Sequence, residues 1–118
     1  MMYGFDDLTA KLNYLSHEHL ETVILWTDAI REYGKDSYQA VDLCRQQWRL
    51  YREIKILEIE SLIQNEKLKA RCVSYMLSLD KSYSLEKSKQ LLDEFVTIIQ
   101  TPKNWFAIQI YMKRNPVT

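Results

Sequence analysis

The chain has 118 residues, of which 47% are hydrophobic and 27% charged, and it carries only two glycines and two prolines. That apolar content excludes a disordered chain, and so few turn formers exclude a sheet protein. Sixteen basic and sixteen acidic residues cancel, which excludes a global electrostatic drive toward nucleic acid or acidic membranes but leaves local patches open.

The length suits one helical domain over 1–118. Phe5, Leu8, Leu12 and Leu15 recur at helical spacing, so a short first helix is predicted over 7–15, with Asp6 as its N-cap. Ser16 reads as a fresh cap with Glu18 in the next turn. The second helix then covers 17–33, with Leu20, Val23, Ile24, Ala29, Ile30 and Tyr33 inward. Gly34 stands where a left-handed C-terminal cap belongs.

From Ser37 to Leu79 there is neither glycine nor proline, and Asp36 or Ser37 can act as an N-cap at its start. This stretch predicts one long central helix. It carries one apolar stripe through Val41, Cys44, Trp48, Tyr51, Ile59 and Met76, and a second through Leu43, Leu50, Ile54, Leu57, Cys72 and Leu79. A helix apolar on two sides needs neighbours on two sides. Ile56 and Ile63 fall at the edge of its polar face and read as an exposed contact. A continuous rod over this range is about 64 Å long, against a diameter near 35 Å for a compact chain of this size. Either the rod breaks around Gln64–Asn65, or a second copy covers its overhang. The continuous helix and a homo-oligomer, dimer first, are the expectation.

Ser84 caps a helix over 85–100, with Leu91, Leu92, Phe95, Val96, Ile98 and Ile99 among its core residues. Thr101–Pro102 restarts the chain into a last helix over 102–114, closed by Lys113, Arg114 and Pro116. The fold class is therefore all-α, a bundle of four to five helices around one long central helix. No run of eighteen apolar residues and no signal-peptide pattern occurs, so a cytoplasmic protein without a transmembrane segment is expected. Cys44 and Cys72 lie too far apart on a straight helix to bond within the chain, and read as small buried hydrophobes in a reducing compartment.

Chemistry-bearing patterns are weak. His17 and Glu21 could supply two metal ligands where zinc needs three or four. Ser84 and Lys87 match a Ser-x-x-Lys spacing but read as a helix cap. Glu53 and Glu60 sit on a polar face without the histidine partners of a di-metal site. No catalytic residue, cofactor site or metal site is assigned, and a non-enzymatic protein is expected.

Two surfaces remain. Arg45, Arg49 and Arg52, continued by Lys67 and Arg71, could track a phosphate backbone, although Glu53 and Glu60 interrupt the basic line. The final helix interleaves Trp105, Tyr111 and Met112 with basic residues and suits docking against a protein partner. The favoured reading is a small interaction module (assembly factor, adaptor or inhibitor) that self-associates. It would bind another protein through Arg49, Ile56, Ile63, Trp105, Tyr111 and Met112. The alternative is a nucleic-acid-binding accessory protein using Arg45, Arg49, Arg52, Lys67 and Arg71.

Overall fold

A computed structural model describes the backbone of residues 3–100 and 105–118, and the side chains of 7–100 and 106–118. Among the described residues every regular element is a helix: α1 (Tyr3–Tyr33), α2 (Tyr38–Leu62), α3 (Glu66–Ser82), α4 (Leu85–Gln100) and α5 (Trp105–Arg114). The chain divides into two compact units, one reaching to Leu57 and the other beginning at Glu58. The all-α class is as expected, but the single long central helix is not what forms.

In the first unit, α1 and the greater part of α2 form a hairpin. The two helices predicted over 7–15 and 17–33 are one helix of 31 residues, which contains both Asp6 and Ser16. Ser16 caps nothing because the inward face runs straight past it. Leu15, Thr22 and Ala29 are buried and stand seven apart. Thr22 tolerates burial because its hydroxyl donates to Glu18 O at 2.8 Å. The face expected inward is displaced accordingly: Leu20, Ile24 and Tyr33 are exposed, while Ala29 is buried as expected.

Gly34 ends α1 at φ 97°, a left-handed conformation that costs glycine nothing, and its N–H donates to Ile30 O at 2.9 Å. Ser37 starts α2 by accepting from Ala40 N at 3.1 Å while its own hydroxyl donates to Gly34 O. The rings of His19 and Tyr51 meet with centroids 5.8 Å apart, at similar distances along each helix from the short turn that joins them, as in an antiparallel pair.

Along α2 the inward face turns. Ala40, Trp48 and Ile56 are buried and eight apart, and each such step advances about 80° around a helix. Positions that begin on the polar edge are therefore inward by the end of α2. Ile56 is buried for this reason, at 9% exposure, and Ile63, past the end of α2 in the second unit, is buried at 8%, where an exposed contact was expected.

The helix breaks at residues 63–65, where a continuous rod was expected. Asn65 caps α3, its side chain accepting from Leu68 N at 3.0 Å, and Glu66 lies in the first turn. An uninterrupted rod was one ground for expecting a second copy, and that ground falls away.

The second unit holds the last turn of α2, then α3 against α4 and α4 against α5. Its interior contains Cys72, Met76 and Leu79 of α3, Leu91, Leu92 and Phe95 of α4, and Ile108 of α5. The helix at 85–100 lies where predicted, and Ser84 Oγ caps it by accepting from Lys87 N at 3.2 Å. The residues after α5 are tied down. Tyr75 Oη donates to Asn115 O at 2.7 Å, Tyr83 Oη to Pro116 O at 2.8 Å, and Thr118 N to Ser82 Oγ at 2.8 Å.

Candidate functional site

The residues singled out from the sequence take three kinds of position. Tyr111 is tied into its own unit. Its ring joins Tyr75 and Phe95 in an aromatic cluster, with centroids 6.4 Å and 5.8 Å away. Its hydroxyl lies 3.1 Å from Leu91 O and 2.9 Å from Glu94 Oε1, so both ends of the side chain are engaged within the second unit. Burial and the Glu94 carboxylate push its ionisation well above the usual phenol range. Met112 is half-buried. The Trp105 side chain and the Thr101–Pro102 restart signal lie outside the described residues.

The basic residues fall on two helices, one set in each unit. Arg45 and Arg49 are exposed one turn apart on α2. Arg52 is half-buried with its guanidinium 5.6 Å from the Trp48 ring centroid, a cation–π contact. Lys67 and Arg71 are exposed on α3, beyond the break, so the helical register that aligned them with the arginines no longer applies.

The remaining chemistry-bearing groups are also placed. His17 Nε2 pairs with Glu21 Oε1 at 3.2 Å on the surface of α1. Among the described residues no group of three or more His, Cys, Asp or Glu side chains is arranged to hold a metal. Both cysteines are free: Cys44 is half-buried, and Cys72 is buried with its pKa pushed up to about 11 by desolvation. No helix among the described residues is long and apolar enough to cross a membrane.

The fold also leaves large apolar side chains in solvent. On α1, Tyr14, Leu20, Ile24 and Leu25 are each more than half exposed. On α5, Phe106 is 79% exposed and Ile110 46%, one turn apart and continued by exposed Lys113. Docking was expected from Tyr111 and Met112, on the other side of α5. The available signal was Ile108, which is buried, because a residue two positions from Phe106 and Ile110 points away from both on a helix.

Compared with protein families, curated proteins and solved structures, the chain matches none. The functional reading therefore rests on these surfaces alone.

Proposed function

We propose that this protein is a non-enzymatic interaction module that acts by docking its helices against protein, a second copy of itself included. The observation that supports this is the exposed apolar face of α5, Phe106 and Ile110, on a helix whose opposite side is committed to its own unit through Ile108 and Tyr111. Large apolar side chains aligned on a folded helix mark contact surfaces more often than isolated ones do. The exposed flank of α1 adds to it. A reducing location such as the cytoplasm suits two free thiols.

The direct test is Phe106→Glu with Ile110→Glu. Both side chains are exposed, so circular dichroism and the melting temperature should match the wild type, while association in sedimentation should be lost. A melting temperature lowered by several degrees would return these residues to the core.

The alternative of nucleic-acid binding keeps one supporting observation, the exposed pair Arg45 and Arg49. It calls for an affinity that falls steeply with salt. Absence of binding to single-stranded DNA at low salt removes it.

A further inference from the structure

We infer that residues 115–118 are a latch that holds α5 on its seat against α3 and α4. When the latch opens, the seat accepts the same segment from another copy of this chain. Every contact involved lies within the second unit, and the seat is a different surface from the open face of α5.

α5 needs holding. It has ten residues, a length at which an isolated helix is unstable in water. It packs on α4, but its apolar burial is small. α3 buries four side chains and α4 five, whereas Ile108 is the one buried side chain among those described in α5. A terminal element with so few buried apolar groups belongs to the low end of the range of local stabilities.

The latch adds what packing lacks. Asn115 closes α5 by donating both its N–H and its side-chain Nδ2 to Tyr111 O, at 3.0 Å and 3.2 Å. Three hydroxyls from the C-terminal half of α3 and its cap then hold the chain. Tyr75 Oη donates to Asn115 O, Tyr83 Oη donates to Pro116 O, and Ser82 Oγ accepts from Thr118 N. All three engage main-chain atoms, so the segment is fixed along its length. Pro116 has a fixed φ and no N–H to satisfy, which lowers the entropy lost on ordering it. Tyr75 couples latch to seat. Its ring lies 4.7 Å from that of Phe95 and 6.4 Å from that of Tyr111, while its hydroxyl holds Asn115. Lifting Tyr111 therefore displaces Asn115, and α5 and the latch open as one.

Two full-chain variants loosen the latch from opposite sides. One carries Asn115→Gly and Pro116→Gly; the other carries Ser82→Ala and Tyr83→Phe. Circular dichroism checks that each stays folded. In native-state hydrogen exchange the amides of α5 should open together and more often than those of residues 91–96 in α4. Each variant should speed them about tenfold and leave 91–96 unchanged. A labelled synthetic peptide of residues 105–118 then probes the seat. It should bind the glycine variant about tenfold more tightly than the wild type, because apparent affinity rises with the fraction of open seats. The Ser82–Tyr83 variant should show no such gain, since the peptide loses in trans the same hydroxyls that α5 loses in cis. Wild-type α5 amides exchanging no faster than 91–96, or variants that speed only the amides after Arg114, would overturn the latch. Equal peptide affinity for the glycine variant and the wild type would overturn the open seat, while leaving docking through Phe106 and Ile110 standing.

Discussion

Two side chains of the second unit show how a single residue's surroundings decide its role. An aromatic on a short terminal helix suits a docking surface and a core equally well. Glu94, seventeen positions before Tyr111, takes its hydroxyl at 2.9 Å and ties it to its own unit, and no local pattern could have announced that contact. Local partners were legible. Ser37 and Ser84 cap helices, and Gly34 takes its left-handed turn, because each of those contacts lies within four residues. Cys72 was readable as a buried hydrophobe, and its burial has a pH consequence. Its folded pKa lies above its unfolded one, so the stabilisation is complete below about pH 9 and is lost as pH rises toward about 11. Tyr75, pushed up to about 12 mainly by burial and then by Tyr83 and Glu94, adds to the same alkaline loss from about pH 10 upward. Urea denaturation from pH 8 to 11 should show falling stability, and Cys72→Ala should make the fall shallower. A slope unchanged by that substitution would contradict the buried neutral thiol.

Among the elements, the helix boundaries that went wrong share a cause. Ser16 has the chemistry of a cap but sits where the seven-residue recurrence of Leu15, Thr22 and Ala29 continues the inward face. Thr22 hid that recurrence, because a hydroxyl satisfied by the preceding turn leaves no apolar mark in the sequence. The reverse holds at 63–65. No glycine or proline marks the break, yet Asn65 with Glu66 after it is a helix start in its own right. Once the chain stops at Leu62, that cap fixes where α3 begins. Asn65→Ala should therefore cost about 1 kcal/mol in urea denaturation, the usual worth of such a cap. An unchanged midpoint would show that the break is held by something other than this side chain.

At the scale of the whole molecule, the class was legible because few turn formers and a 3.6-residue apolar period leave little else. The continuous rod was not found, and with it went one ground for a second copy. Exposure of apolar side chains on α1 and α5 now supports that expectation from different residues. These surfaces were not legible, because helical spacing identifies an apolar face without telling which neighbour covers it. The most direct measurement is the solution mass of the wild-type chain by sedimentation velocity from about 1 µM to several hundred micromolar, the range in which small interfaces form. Self-association requires the mass to rise above the 14.2 kDa of one chain as concentration increases. A mass that stays at 14.2 kDa across the series would contradict it.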